Sequence, residues 1–162
     1  MVKYNQHTDN QHTEFIQIMM GELALFDIEN SLGFLLAKSH KKAFNEFKTR
    51  LEPYNLTPPQ FAAMAFLWKK DGINQIQLGE LMDADRTTIG GIVDRLERMG
   101  LIERAINPVD RRASILFVTD KGRSMQEKLE FIAAEFNNWL GRKFSEEELV
   151  DLKAKLKKIR YI

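Results

Sequence analysis

Two short helical segments joined by a tight turn, with two short strands directly after them, constrain the fold of this chain most. Asn74 and Asp85 are residue types that cap helices, and each precedes a short segment with apolar residues at helical spacing. Gly100 ends the second helical segment, and two stretches rich in branched residues follow at 101–106 and 114–118. Because a lone two-stranded ribbon is marginally stable in water, we expect it to pack against the helices.

Longer amphipathic helices are predicted on both sides of this central segment. Apolar residues recur at helical spacing over 28–51, and the pattern returns from Thr119 to Leu140. Ser145 and Glu148 form a capping box that starts a last helix. The inward-facing residues of this last helix are predicted to be Leu149, Leu152, Leu156 and Ile159. Neither flank can bury its apolar stripe alone, and the sequence therefore predicts a mainly α-helical chain with a small β-hairpin wing, a winged helix-turn-helix.

The composition excludes several classes of protein. The chain has 162 residues and no cysteine, so disulfides, thiol nucleophiles and cysteine-bound metals are excluded. No apolar run reaches the roughly 18–20 residues that span a bilayer, and the N-terminus lacks a signal-peptide pattern. We therefore expect a cytoplasmic protein without a membrane partner.

The residue types that catalysis requires are not grouped in this sequence. His7 and His12 lie in a polar N-terminal stretch, and no third histidine or carboxylate joins them at metal-ligand spacing. Gly90 and Gly91 lie inside a predicted helix, whereas a phosphate-binding glycine loop follows a strand. We therefore expect no enzymatic activity, no metal site and no cofactor.

The second helix of the turn presents side chains that suit duplex DNA. A helix in this position can enter the major groove, where arginine binds guanine or phosphate and threonine contacts phosphate or a thymine methyl group. The candidate DNA-binding residues on this helix are Arg86, Thr87, Thr88, Gly91 and Arg95. The alternative is a solvated face on which Arg95 and Arg98 pair with Asp94, Glu97 or Glu103, and for Arg98 we favour that alternative. Since the net charge is only +1, DNA binding would depend on where the arginines lie.

The loop between the two strands carries the stronger indication of DNA binding. Arg111 and Arg112 lie on the hairpin loop, where a guanidinium can enter a narrow minor groove. Asp110 is unsuited to binding phosphate, but it can orient an arginine through a charge-assisted hydrogen bond. The alternative is an exposed polar turn without a ligand.

Several short motifs together resemble the MarR family of bacterial transcription regulators. They are Asp85-Arg86-Thr87-Thr88-Ile89, Asp94-Arg95-Leu96-Glu97, Gly100-Leu101-Ile102, Asp110-Arg111-Arg112 and Val118-Thr119-Asp120-Lys121-Gly122. The resemblance is strongest over 56–123, and its most specific part is the Asp-x-Arg loop followed by a strand that ends in Thr-x-x-Gly.

The resemblance implies an intertwined homodimer, formed by the N- and C-terminal helices, that binds a pseudo-palindromic DNA operator. It implies three parts: an N-terminal tail with dimerisation helices (1–54), a winged helix-turn-helix domain (55–120) and C-terminal dimerisation helices (121–162). Arg112 would be the minor-groove arginine, Asp110 its brace, and Arg111 a phosphate contact. Gly90 and Gly91 depart from the common family pattern, so base reading would fall more to the other residues of the helix.

The resemblance also implies a small effector, such as an aromatic acid or its thioester, and a repressor that the effector releases. Candidate pocket residues are His40, Phe44, Phe47, Phe61, Met64 and Trp68, although aromatics at helical spacing are also typical of an ordinary core. The absence of cysteine excludes the peroxide-sensing branch of the family. The remaining alternative is a winged-helix protein-protein interaction module without specific DNA binding.

Overall fold

The structure, a computed structural model, describes residues 27–106 and 114–160. The helices in these ranges are α1 (Leu32–Leu51), α2 (Pro58–Lys69), α3 (Gln75–Met82), α4 (Arg86–Arg98), α5 (Asp120–Ser124), α6 (Gln126–Gly141) and α7 (Glu146–Arg160), with a short 3-10 helix at Glu52–Tyr54. The strands are β1 (Ile73–Asn74), β2 (Ile102–Ile106) and β3 (Ser114–Val118). The predicted fold class, mainly α-helical with a small β wing, is confirmed.

Helix α1 begins later than its apolar pattern predicts. The pattern starts at Ile28, but residues 28–30 form a turn in which the Asp27 carboxylate accepts hydrogen bonds from the backbone N–H groups of Glu29 and Asn30, at 3.1 and 3.2 Å. Local hydrogen bonds to an aspartate side chain compete with helix formation, and here they hold residues 28–30 in a turn instead of a helix. The helix consequently has 20 residues.

Side chains cap the starts of α2 and α3, and for α3 the sequence predicted the capping residue, Asn74. The Gln60 side chain accepts a hydrogen bond from the backbone N–H of Thr57 at 2.9 Å. Asn74 and Gln77 form a complete capping box, with each side chain accepting from the other's backbone N–H at 2.9 Å. After α3, Asp83 adopts a left-handed conformation (φ 49°) that turns the chain into α4.

One hydrophobic core joins α2, α3, α4 and the sheet. Its most buried members include Leu67, Leu78, Ile89, Val93, Leu96, Leu101, Ile102 and Leu116, each no more than 1% exposed. Each such side chain stabilises the fold by roughly 1.5–3 kcal/mol on burial. Gly79 permits the close crossing of α3 and α4, because a Cβ there would lie 3.2 Å from the Ala84 carbonyl oxygen. The position of α4 is therefore set by contacts within its own chain.

The sheet has three strands where the sequence predicted two. All pairs are antiparallel and the order is β1-β3-β2. The two long strands pair from Ile102 opposite Val118 to Ile106 opposite Ser114, and β1 adds Ile73 opposite Leu116. A two-residue strand has no periodicity of its own, so the sequence pattern does not reveal β1.

The described C-terminal segment contains three helices rather than the predicted two. The first predicted helix, from Thr119 to Leu140, is broken at Met125 into α5 and α6. The predicted capping box before α7 is confirmed: Glu148 accepts from the Ser145 N–H at 2.8 Å, and Ser145 Oγ accepts from the Glu148 N–H at 3.2 Å. No residue of α7 is buried in the described chain, so the single chain does not bury the apolar stripe predicted for this helix. Leu149 and Ile159 are half-buried, whereas Leu152 and Leu156 are exposed.

The chain divides into two compact units with a boundary between Lys42 and Ala43, inside α1. The second unit contains the winged helix and the C-terminal helices together, and α6 contributes Leu129 to its core. The division predicted from the resemblance, at residues 54 and 120, stays a prediction. Among the described helices, none combines the length and apolar character needed to cross a membrane.

Candidate nucleic-acid interface

The leading end of α4 is held by its N-cap residue, Asp85. One carboxylate oxygen of Asp85 accepts from the Thr88 backbone N–H at 2.9 Å, and the other accepts from the Thr88 hydroxyl at 2.9 Å. These two bonds from Thr88, the backbone one first, lower the pKa of the Asp85 carboxyl below its ordinary value. In this arrangement the Thr88 hydroxyl donates its proton to Asp85, so it has no proton left to donate to a DNA phosphate. Its methyl group and its oxygen lone pairs remain available for other contacts.

The other predicted DNA-binding residues of α4 lie on its exposed face. Arg86, Thr87, Gly91 and Arg95 are all exposed, while the buried stripe of the helix faces the core. Thr87, Gly91 and Arg95 are four residues apart and therefore line one side of the helix. Neither Arg86 nor Arg95 forms an ion pair with any residue of the ranges 27–106 and 114–160. Among the described residues nothing neutralises these two guanidinium groups, so both are available to an external anion.

The predicted alternative, in which arginines of α4 pair with acidic residues nearby, is wrong in its choice of arginine. Asp94 and Glu97 pair instead with Arg104 of β2, at 2.5 Å for Asp94. Arg98 donates from Nε to the backbone carbonyl of Asp94 at 3.2 Å. Arg104 was not among the predicted partners, although its position two residues after the buried Ile102 places it on the strand face that meets the helix.

The predicted wing residues Asp110, Arg111 and Arg112 lie outside the described residues. The paired strand ends on either side of them are described, with Ile106 opposite Ser114. Ile106 is 75% exposed. The roles of these three residues stay a prediction.

The trailing end of α4 is fixed by the segment that follows β3. Gly100 has a φ of 69°, and its carbonyl accepts from the Thr119 hydroxyl at 2.7 Å, while Lys121 Nζ donates to the Met99 carbonyl at 2.7 Å. A lysine at this position also offsets the negative end of the helix dipole. A Cβ at Gly122 would lie 2.2 Å from the Leu101 carbonyl oxygen, so only glycine fits there. The Thr-x-x-Gly motif therefore holds α4 in place.

A depression of about 570 Å³ lies beside the start of α4. It is lined by residues of α3, the turn, α4 and the first residue of β3, among them Ile76, Asp83, Arg86, Ile89 and Ser114. Ile76 is 67% exposed there, although the sequence pattern places it with the apolar residues of α3. The depression therefore adjoins the exposed Arg86 at the start of α4.

Four of the predicted effector-pocket residues belong to the hydrophobic core of the second unit or pack against it. Phe47 and Phe61 meet edge to face at 5.1 Å, and Phe61 meets Trp68 at 6.1 Å. Trp68 donates from its indole N–H to the Gly122 carbonyl at 3.1 Å, and Met64 is 1% exposed. The pocket itself stays a prediction, with these four residues forming closely packed core in the described structure.

The remaining two predicted pocket residues lie on α1 on either side of the unit boundary. Phe44 is half-buried and His40 is exposed. Each makes an interaction within the molecule, so neither is a free side chain. Three or more histidine or acidic side chains do not gather at metal-binding distance anywhere in the described ranges.

Known proteins similar to this chain are transcription regulators. A model of the MarR family matches residues 56–114. The organic hydroperoxide resistance transcriptional regulator of Bacillus subtilis (strain 168) is 32% identical over 101 residues, which cover 62% of this chain and 69% of that protein.

Two solved structures resemble the fold over most of its length. A crystal structure of a probable transcriptional regulator from Pseudomonas aeruginosa has a TM-score of 0.77 and 30% identity, covering 81% of this chain and 98% of that one. The transcriptional repressor CouR bound to a 23-mer DNA duplex has a TM-score of 0.78 and 28% identity, covering 83% of this chain and 96% of that one. The family assignment also confirms the prediction that the chain is not an enzyme. By its motifs, its fold and these relatives, the chain belongs to the MarR family of transcriptional regulators.

Proposed function

We propose that this protein is a transcriptional repressor that binds a pseudo-palindromic operator as a homodimer and is released by a small effector. The observation that carries the proposal is the exposed face of α4. It presents Arg86 and Arg95 without ion pairs in the described chain, while the acidic residues Asp94 and Glu97 both pair with Arg104. That face therefore has more cationic character than the net charge of +1 indicates.

The proposed DNA contacts divide between two grooves. Helix α4 would enter the major groove, with Arg86, Thr87 and Arg95 meeting base edges or phosphates. Gly91 would let the DNA approach the helix closely, because no atom lies within 4 Å of a Cβ built there. The loop 107–113 would place Arg112 in the neighbouring minor groove, with Asp110 orienting it and Arg111 on a phosphate.

The proposed homodimer is supported by apolar surface that the single chain leaves exposed. Leu32 and Leu35 of α1 are 64% and 48% exposed, and the C-terminal helices expose a comparable set. That set is Phe131, Leu140, Phe144, Val150, Leu152 and Leu156. Exposed apolar side chains one turn apart on a helix, such as Leu152 and Leu156, are typical of protein-protein contact sites. Two copies would place two α4 helices at the spacing of successive major grooves.

The proposed effector is an aromatic acid or its thioester, bound near the predicted pocket residues of the second unit, which are Phe44, Phe47, Phe61, Met64 and Trp68. Since Phe47, Phe61, Met64 and Trp68 pack closely, such a ligand would have to favour a more open arrangement of this cluster. It would release DNA only to the extent that it binds the open arrangement more tightly. A thermal-shift screen with aromatic acids tests this, and a true effector both raises the melting temperature and weakens operator binding.

A gel-shift experiment with DNA from upstream of the protein's own gene tests the central proposal. We expect salt-sensitive binding at nanomolar to micromolar protein, because arginine contacts to phosphate release counterions. The absence of such binding would favour the alternative, a winged-helix module that binds other proteins, and would refute the repressor.

Arg112→Ala provides a sharper test of the wing. Loss of a minor-groove arginine should weaken operator binding roughly 10- to 100-fold while leaving the dimer and its melting temperature almost unchanged. Lys143→Ala is the matched control, since it removes one positive charge from the exposed turn between α6 and α7. If Arg112→Ala binds the operator as tightly as Lys143→Ala, the assignment of the wing is wrong.

A further inference from the structure

The exposed face of α4 carries a carboxylate in an unfavourable position for a DNA-binding helix. Asp94 lies seven residues after Thr87 and four before Arg98, so the three side chains share the outward side of the helix. The Asp94 side chain is 59% exposed, and that of Glu97 is 38% exposed. Phosphates approaching this side would be repelled by an uncompensated carboxylate, since like charges closer together than the Debye length repel one another.

Arg104 reaches both of these carboxylates from the neighbouring strand. One terminal nitrogen of its guanidinium lies 2.5 Å from Asp94 Oδ1, and the other contacts Glu97. The planar guanidinium has donors in a fixed fork, so it can bind two carboxylates at once. The ammonium group of a lysine is a point charge on a flexible stem and would hold the carboxylates less rigidly. The Arg104 side chain is 26% exposed, which leaves it largely covered by the strand and the helix.

We propose that Arg104 is a positioning residue that makes α4 competent to bind DNA. It offsets one of the two negative charges of Asp94 and Glu97 and holds both carboxylates toward β2, so that phosphates meet Arg86, Arg95 and the helix backbone. The same guanidinium joins α4 to β2, a strand of the wing, and so sets the angle between the two proposed DNA-binding elements. This inference rests on the proposed function.

A purely structural role for Arg104 makes different predictions. Ion pairs with this much solvent exposure contribute little to stability, so their loss should change the melting temperature only slightly. A charge-compensating role instead predicts a large loss of DNA affinity that disappears when the two carboxylates are removed. Salt provides a second distinction, because screening weakens repulsion between the carboxylates and phosphate.

The experiment measures operator binding by fluorescence anisotropy at several salt concentrations for the wild type and four variants. These are Arg104→Met, Arg104→Lys, Asp94→Asn with Glu97→Gln, and the triple variant that combines Arg104→Met with both carboxamides. We expect Arg104→Met to bind roughly tenfold or more weakly, with a smaller deficit at high salt. Arg104→Lys should recover part of the affinity, and the triple variant should return to within about threefold of the wild type.

Each outcome bears on the inference. If Arg104→Met binds as tightly as the wild type, or if the triple variant stays as weak as Arg104→Met, the inference is overturned. The carboxamide pair with Arg104 intact covers the case in which Arg104→Met fails to fold: it should bind at least as tightly as the wild type, and weaker binding overturns the inference. If the wild-type protein does not bind the operator, the proposed function itself is refuted. The wild type is therefore measured first, so that this outcome is distinguished from a failure of the inference about Arg104.

Discussion

Helices α4 and α7 each carry an apolar stripe, but the single chain buries only that of α4. Helix α4 places Ile89, Val93 and Leu96 in the core, each 1% exposed or less. Helix α7 has no buried residue among those described, and its Leu152 and Leu156 are 37% and 43% exposed. An apolar stripe therefore indicates a face that needs a partner, but not whether the same chain supplies that partner.

The strongest test of this comparison targets the segment that fixes α4. Gly122→Ala would place a Cβ 2.2 Å from the Leu101 carbonyl oxygen and 2.8 Å from Val118 Cγ1. Backbone cannot yield as a flexible side chain does, so we expect a loss of roughly 3 kcal/mol in unfolding free energy. Thermal unfolding followed by circular dichroism should show a fall in melting temperature of about 6–12 °C.

Gly91→Ala is the matched control for that substitution. It also adds a methyl group to a glycine, but at a helical position with open space around the new Cβ. It should stabilise the protein by about 1 kcal/mol, because alanine is the better helix former. Equal melting temperatures for the two variants would contradict the assignment of the Thr-x-x-Gly motif as the element that holds α4.

A second test targets the exposed stripe of α7. Leu152→Glu combined with Leu156→Glu should convert the proposed dimer to a monomer at micromolar concentration, because charge would replace apolar surface at the contact. Light scattering coupled to size-exclusion chromatography measures the mass directly. Lys153→Glu with Lys157→Glu is the control on the neighbouring polar side of the helix, and should remain dimeric. A dimeric leucine variant would show that α7 is not the dimer contact.

The smallest expected effect concerns the charged cap of α4. Because its hydrogen bonds with Thr88 lower the pKa of Asp85 in the folded protein, the carboxylate stabilises the fold above its ordinary pKa. That contribution is lost as the pH falls through the lowered pKa. Asp85→Ala should therefore melt a few degrees below the wild type at pH 7, and the difference should shrink below about pH 4.

Asp85→Asn is the control for the charge of this cap. Asparagine caps helices about as well as aspartate but does not titrate, so its variant should stay near the wild type at neutral pH. Thermal melts from pH 3 to pH 7 measure both variants. A difference between Asp85→Ala and wild type that is the same at every pH would show that the cap acts without its charge.

Much of the local structure was predictable because its causes lie within a few residues of one another. The capping bonds of Asn74, Asp85 and Ser145 each join residues three apart, and each was predicted from residue type and spacing. The end of α4 at Gly100 follows from the same local chemistry. The candidate residues Arg86, Thr87 and Arg95 were likewise placed correctly on the exposed face, since helical periodicity assigns faces.

The elements that sequence reasoning missed depend on contacts between distant residues. Strand β1 exists because Ile73 meets Leu116, more than forty residues away, and two residues carry no period of their own. Arg104 holds Asp94 and Glu97 because β2 turns back along α4, whereas local spacing favoured Arg98 as their partner. In both cases the packing of helices and strands against one another determines which residues become partners.

By itself, the sequence determined the order and type of the main elements, the caps that start the helices and the motifs that identify the family. Those properties follow from local hydrogen bonding and from the periods of helix and strand. The tertiary structure decided which apolar stripes are buried, which arginine compensates the acidic residues of α4 and why Gly122 tolerates no side chain. These depend on which surfaces meet across the fold, and short-range residue patterns do not specify that.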